Sequence, residues 1–378
     1  MSVVMVVCER APGERRVAAT PESVPRLTAL GLDVWVERGA GAAAGHDDAA
    51  YAEAGARIVG PEEVGGAQLV VRVAPPTVEE VAALADGAIL LTFVAPHRNP
   101  DVVRALAEHK VSTLAMELVP RISRAQSVDA LSSQANIAGY RAVILAAYAL
   151  DKYFPLFMTA AGTIRPARIV VLGAGVAGLQ AVATAKRLGA IVEVSDIREA
   201  AREEVASLGA SFIDVPDAQD ATGEGGYAKE VGEDFLTRQR RALTERLAEA
   251  HAVITTAQIP GRPAPELVTT EMVEAMRPPA VLIDLAAADG GNCALTDVAG
   301  EVDHGGIRII PGHDLPAQMP GEASLVYARN ISSFLGLLVQ DGTPTIDRDD
   351  EVIDGALLTH DGVITHARSA ELIEGGEG

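Results

Sequence analysis

Two stretches of the chain carry residues whose types and spacing point to chemistry. Arg168 to Gln180 reads R-I-V-V-L-G-A-G-V-A-G-L-Q, a β-branched run followed at once by Gly173, Gly175 and Gly178. In a G-x-G-x-x-G between strand and helix, the first glycine permits a tight turn. The second lets a pyrophosphate approach the backbone, and the third lets the helix pack on the strand. The phosphate would rest on the free N–H groups at that helix's N-terminus. Asp196 follows the next strand-like run, about twenty residues on, where a carboxylate can bond the adenosine ribose hydroxyls. Glycine-rich turns are common by themselves. Strand, helix and acid together make dinucleotide binding the reading here. The Asp196 charge disfavours a 2′-phosphate, so NAD is expected over NADP. Arg198 is of a type that can accept such a phosphate, but it reads as a solvated residue at a helix start.

The second stretch, Arg121 to Tyr140, reads R-I-S-R-A-Q-S-V-D-A-L-S-S-Q-A-N-I-A-G-Y. It is dense in hydrogen-bonding groups, follows a predicted strand and precedes a long helix. Polar loops at strand C-termini are where α/β enzymes place ligands. By composition alone the plainer reading is a surface loop, with Ser132 or Ser133 capping the helix.

The elements that must position these residues alternate between short apolar runs and helix-like segments, the pattern of a parallel α/β sheet. Val3–Cys8, Val34–Val36, Leu69–Val73, Ala88–Phe93 and Val111–Met116 read as strands covered on both faces. A helix is expected over Ser132–Tyr153, then Pro155 and a Gly/Pro-rich turn at Ala161–Pro166. A second series follows at Arg168–Leu172, Ile191–Ser195, Ser211–Val215, Val253–Thr256, Ala280–Asp284 and Arg308–Ile310. A polar insert, Pro216 to about Gly232, interrupts it, and loops of that length are functional or disordered. A helix over Ser324–Val339 leads back to the first series, which a hairpin at Leu357–Thr365, turning at Asp361-Gly362, completes. Trp35 is expected in the first core.

Composition narrows the classes. A chain of 378 residues, 48% of them hydrophobic, suits two globular domains. A formal charge of −21 excludes a nucleic-acid partner, which needs a basic face. Cys8 and Cys293 stand apart from each other and from any histidine pair, so neither a disulfide framework nor a metal site is expected. The longest apolar stretch, Ala135–Gly162, carries Arg141, Asp151 and Lys152 and is unsuited to lipid. No basic leader precedes the first strand. A soluble cytoplasmic protein without direct membrane insertion is expected.

The Arg121–Gly139 block resembles the R-x-x-x-x-Q-x-x-D loop of the NAD(H)-binding component of proton-translocating transhydrogenases. Further similarity lies in Met158–Thr163, Gly173–Gly189, Gly226–Glu230, Ile259–Pro265 and Gly290–Cys293, so it extends over essentially the whole chain. The resemblance implies an α/β fold with two doubly wound Rossmann-like domains joined by long helices. One would take residues 1–131 plus 325–378, the other residues 132–324. It implies that Arg121, Ile122, Ser123, Gln126, Asp129 and Ser132 hold the nicotinamide end of NAD(H), with Asp129 fixing Arg121 by ion pairing. Gly173, Gly175, Val176 and Gly178 would meet the pyrophosphate, and Asp196, Ile197 and Arg198 the adenosine ribose. Tyr227, with Gly226, would fold over the nucleotide, while Gln239 and Gln258 make further contacts. Gln258 stands where the family has an apolar residue. NADP(H) would sit on a partner subunit, with a transmembrane partner supplying proton movement. The chain would be a homodimer, peripheral on the inner face of the cell membrane.

Alanine dehydrogenases are related to that family, and Glu14–Pro21 echoes their N-terminal E-x-R-V-A-x-T-P. Imine chemistry there needs a lysine, a histidine and an acid to move protons. Aligned by strand ends, those positions fall on Ala74, Ala95 and Ala288, with His97 and Asp289 close by. Three alanines favour transhydrogenation, in which no substrate heteroatom is protonated. A non-enzymatic NAD sensor would keep Gly173–Asp196 but has no use for the Arg121–Ser132 loop.

Overall fold

The computed structural model describes residues 1–214, 233–259 and 261–374, with the backbone alone for 233–236 and 374. The chain divides into two compact units, Met1–Gln134 with Pro316–Gly378, and Ala135–Leu315.

The first unit opens with six strands: β1 (Val3–Val6), β2 (Asp33–Glu37), β3 (Arg57–Val59), β4 (Leu69–Val71), β5 (Ile89–Thr92) and β6 (Ser112–Ala115). They lie parallel in the order β6-β5-β4-β1-β2-β3, so the winding reverses between β1 and β4. Both sheet faces are covered, which is why each strand is apolar throughout rather than alternating. Along β1, Val4 and Val6 pack into one core while Val3 and Met5 pack into another. Trp35 does not fill either. It is only partly buried, because β2 lies next to the short edge strand β3. There its ring lies under the Arg57 guanidinium, 4.9 Å from the ring centre, and its indole N–H donates to Asp33 at 2.9 Å.

The chain enters the second unit along the helix Ala130–Ala149. The stretch expected as a simple turn forms an antiparallel ribbon instead, β7 (Phe157–Thr159) with β8 (Gly162–Ile164). Its residues alternate well enough to pair, although all six are exposed. Then come β9 (Arg168–Leu172), β10 (Ile191–Ser195), β11 (Ser211–Phe212), β12 (Ala252–Thr255), β13 (Ala280–Asp284), β14 (Val302–His304) and β15 (Ile307–Pro311). The sheet order is β11-β10-β9-β12-β13-β15-β14, parallel except for β14. Again the winding reverses beside the first strand, between β9 and β12, and opens a crevice at the strands' carboxyl ends.

Back in the first unit, the helix Pro320–Leu338 buries Tyr327, Ile331, Phe334 and Leu335 completely. A short ribbon, β16 (Val339–Gln340) with β17 (Thr343–Pro344), precedes β18 (Leu357–His360) and β19 (Val363–Ile364). These last two form the expected hairpin, with Asp361 and Gly362 both at positive φ, and β18 adds antiparallel to β6. Among the described residues no helix is long and apolar enough to cross a membrane.

Candidate functional site

Each glycine of the 173–178 turn does a different job. Gly173 sits at φ +100°, and a Cβ there would lie 2.5 Å from Thr256 Oγ1. Gly175 caps the helix Val176–Arg187 and borders open space. A Cβ on Gly178 would come within 1.9 Å of the Gly173 carbonyl oxygen, so only glycine lets this helix start so close to the turn. Val176 stays exposed at the helix start. The result is an open helix N-terminus whose unpaired amides suit an anion, while Lys186 and Arg187 complement the other end of the dipole.

Asp196, just beyond β10, is tied directly to this turn. Its Oδ2 accepts the Ala174 amide at 2.7 Å, and its Oδ1 accepts the Arg198 amide at 2.9 Å. Arg198 is not the solvated residue expected from its place at a helix start. Its guanidinium folds back on Asp196, Nε to Oδ1 at 2.9 Å and Nη2 to Oδ2 at 2.8 Å. Carboxylate and guanidinium are matched forks, and in a half-buried corner the pairing outweighs hydration. Burial works against the charged carboxyl, but Arg198 and the two amides more than offset it and hold Asp196 below its ordinary range. Ile197 is half-buried between them.

Three residues that the sequence did not single out complete the strand ends. Thr256 donates its hydroxyl to the carbonyls of Leu172 and Gly173 at 3.2 and 3.1 Å, clamping the turn. Asp284 and Asn292, both fully buried, knit together the loops after β12 and β13. A Thr after one strand and an Asp ending the next were visible signals, but their partners lie far away in sequence. Of the remaining expected contacts, Gln239 is buried in the helix Glu233–Leu247. Gln258 is exposed and donates to the Leu285 carbonyl at 3.3 Å. Gly226 and Tyr227 fall outside the described residues.

The Arg121–Ser132 loop belongs to the first unit. Ala125, Val128 and Ala130 anchor it in the core, while Arg121, Ser123 and Gln126 are exposed and Ile122, Asp129 and Ser132 half-buried. Arg124 pins it sideways through two bonds to Asp350 at 2.8 and 2.6 Å. Asn330 accepts the Ser133 hydroxyl at 2.8 Å and donates to the Ser127 carbonyl at 2.9 Å. The helix cap is Asp129, rather than Ser132 or Ser133. Its Oδ1 accepts the Ser132 amide at 2.8 Å and its Oδ2 the Ser132 hydroxyl at 2.6 Å. The helix begins one turn earlier than the serines require, and a carboxylate satisfies its free amides better than a hydroxyl. The loop therefore holds polar tips on buried anchors.

The positions reading Ala74, Ala95 and Ala288 carry no titratable group. The Ala74 carbonyl is taken up by Arg72 Nε at 2.7 Å and Thr92 Oγ1 at 2.9 Å. Ala95 sits at φ +49° with its amide donated to Glu117. Among the described residues no group of His, Cys, Asp or Glu is placed to hold a metal.

Comparison with known proteins bears on this arrangement. Two family models match in tandem: "Alanine dehydrogenase/PNT, N-terminal domain" over residues 5–138 and "Alanine dehydrogenase/PNT, C-terminal domain" over residues 142–367. In Rhodospirillum rubrum the NAD(P) transhydrogenase subunit alpha is divided, and the chain is 47% identical to its first polypeptide, over 95% of this chain and 96% of that one. It is 44% identical to NAD(P) transhydrogenase subunit alpha of Haemophilus influenzae, covering 92% of this chain and 69% of that protein. The crystal structure of transhydrogenase from Sinorhizobium meliloti superposes with a TM-score of 0.88 at 43% identity, over 96% of this chain and all of that one. With both halves of the chain matched in order, the protein belongs to the alanine dehydrogenase/PNT family.

Proposed function

We propose that the chain is the NAD(H)-binding subunit of a proton-translocating NAD(P) transhydrogenase. The observation that carries this reading is the bond from the Ala174 amide to Asp196. It joins a phosphate-sized opening at Gly175 to a ribose-binding carboxylate, as a bound dinucleotide requires. Gly173, Gly175, Val176 and Gly178 cradle the pyrophosphate, and Asp196, Ile197 and Arg198 meet the adenosine ribose. Arg121, Ile122, Ser123, Gln126, Asp129 and Ser132 hold the nicotinamide and its carboxamide. Gln239 and Gln258 serve the same nucleotide.

When bound, the nicotinamide supplies a hydride to, or takes one from, NADP(H) on a partner subunit. The residues of this chain then have positioning work alone, since holding two rings at reaction distance converts an encounter into a unimolecular step. Asp129 keeps the loop in one conformation through Ser132, and the buried anchors Ala125 and Val128 limit its drift. The NADP(H)-binding and transmembrane subunits complete the machine, which places this chain on the inner face of the cell membrane. The chain acts as a homodimer, a reading supported by the exposed apolar group Tyr148, Leu156 and Met158 in the second unit.

The test is NADH oxidation by the purified chain under two conditions. One contains pyruvate and ammonia, the other an NADP(H)-binding transhydrogenase domain with NADP⁺. Turnover only in the second supports the proposal. Turnover with pyruvate would instead make the protein an amino-acid dehydrogenase, with proton-transfer groups other than the three alanines.

A further inference from the structure

The carboxylate of Asp196 is saturated from two sides. The Ala174 amide and the Arg198 amide approach one side at 2.7 and 2.9 Å. The Arg198 guanidinium closes the other with Nε at 2.9 Å and Nη2 at 2.8 Å. The pair is shielded, with side-chain exposures of 7% for Asp196 and 19% for Arg198. A planar guanidinium presents the same fork to a phosphate as to a carboxylate. At this strand end an acid bonds the 2′-hydroxyl of NAD, whereas an arginine accepts the 2′-phosphate of NADP. Here both residues are present, and one occupies the other.

We infer that Arg198 is a 2′-phosphate receptor held out of use by Asp196, so that the preference for NAD(H) at this site reverses when the charge of Asp196 is removed. The inference rests on the proposed NAD(H) site and adds what sets its specificity. With Asp196 in place, a 2′-phosphate meets a carboxylate whose arginine is already engaged, and two anions would compete for one fork. Without that charge, the guanidinium stays beside the ribose position and turns to the phosphate. Arg202, one turn along the helix Ala200–Ser207, bonds Asp214 at 2.7 Å and Glu199 at 3.2 Å and does not touch Asp196 in this way. It is the natural control.

The experiment measures the affinity of the purified full-length chain for NADH and NADPH. The wild type should bind NADH and discriminate against NADPH. Asp196→Asn keeps an acceptor for the Ala174 amide while losing the charge. It should lose about tenfold in NADH affinity and gain about tenfold or more for NADPH, the scale of one charge-assisted bond. Adding Arg198→Ala should abolish the NADPH gain, and adding Arg202→Ala should leave it. If the Asn variant does not fold, as judged by circular dichroism, Asp196→Ser carries the same test. A wild type that binds no NADH overturns the proposed site itself. A wild type that binds NADH, with no NADPH gain in the neutral variants or with a gain that survives Arg198→Ala, overturns this inference and leaves the site standing.

Discussion

The carboxylate of Asp284 accepts the backbone amide of Asn292 at 2.7 Å, and the loop that follows β13 is thereby folded back on the strand it leaves. The same carboxylate takes the hydroxyls of Thr255 and Thr296 at 2.9 and 2.6 Å, and the amides of Ala286 and Cys293 at 3.0 and 3.1 Å. Asn292 passes the connection on. Its side chain bonds both the amide and the carbonyl of Ala257, at 3.0 and 2.8 Å, and the Pro265 carbonyl at 2.8 Å. The loops beside the glycine-rich turn are thus lashed together by two buried side chains.

Asp284→Ala should therefore cost far more than an average substitution. Five donors lose their acceptor in a site closed to water, and each buried unsatisfied group costs about 1–3 kcal/mol before relaxation. We expect a net loss of about 3 kcal/mol or more in urea unfolding of the full chain. A loss below about 1 kcal/mol would mean that the donors find other partners.

Gly139 and Gly336 are both helical glycines, yet alanine should affect them oppositely. A Cβ on Gly139 would fall 2.0 Å from the Ala177 carbonyl oxygen, because the helix Ala130–Ala149 touches the start of the dinucleotide helix backbone to backbone. Gly139→Ala must push two backbones apart, at about 1–3 kcal/mol or more. Gly336 in the helix Pro320–Leu338 borders open space. Gly336→Ala should raise stability by about 0.5–1 kcal/mol through reduced unfolded-state freedom. Equal shifts in the two denaturation midpoints would contradict the packing argument.

What the sequence allowed one to read followed from local period and turn chemistry. The run Arg168–Leu172, its glycines and the Asp361-Gly362 hairpin each declare themselves within a few residues. The helix cap fell on Asp129, a few residues before the serines that the composition favoured. The bond networks were not legible, since Thr255 and Asp284 stand 29 residues apart and Thr256 and Leu172 84 apart. Arg198 was misread because sequence gives a side chain's charge and not the direction in which it folds. Trp35 was misread because hydrophobicity does not say how near a sheet's edge a strand will lie. The exposed ribbon at 157–164 was hidden by its glycine and the nearby prolines, which spell turn more strongly than strand.

Glu9 predicts a pH dependence of stability. Its buried carboxylate accepts the amides of Val73 and Ala74 and lies 3.6 Å from Arg72. Burial raises its pKa from 4.5 to about 7, against the pull of Arg72 and those amides. A carboxyl with a raised folded pKa holds its proton more tightly when folded, so stability falls as pH rises between the two values. Glu9→Gln mimics the protonated form and removes this dependence. Relative to wild type, the Gln variant should gain stability from about pH 5 to about pH 8. A constant difference across that range would show that Glu9 is ionised throughout.

Gln126 offers a test of positioning against affinity. Its side chain is exposed while its neighbours Ala125 and Val128 are buried, so Gln126→Ala removes a polar tip without loosening the loop that carries it. If the proposed role is right, the adenosine and pyrophosphate contacts still supply most of the NADH affinity, and only the ring loses its guide. A misplacement of about 1 Å at a reacting centre can cost on the order of 100-fold in rate. Single-turnover hydride transfer to NADP⁺ on the partner domain should then fall by about 10- to 100-fold, with NADH affinity changed by less than about threefold. Folding is controlled by the unchanged urea midpoint expected of an exposed substitution. A loss confined to affinity would make Gln126 a binding group, and the alignment of the ring would have to come from Arg121, Asp129 and Ser132.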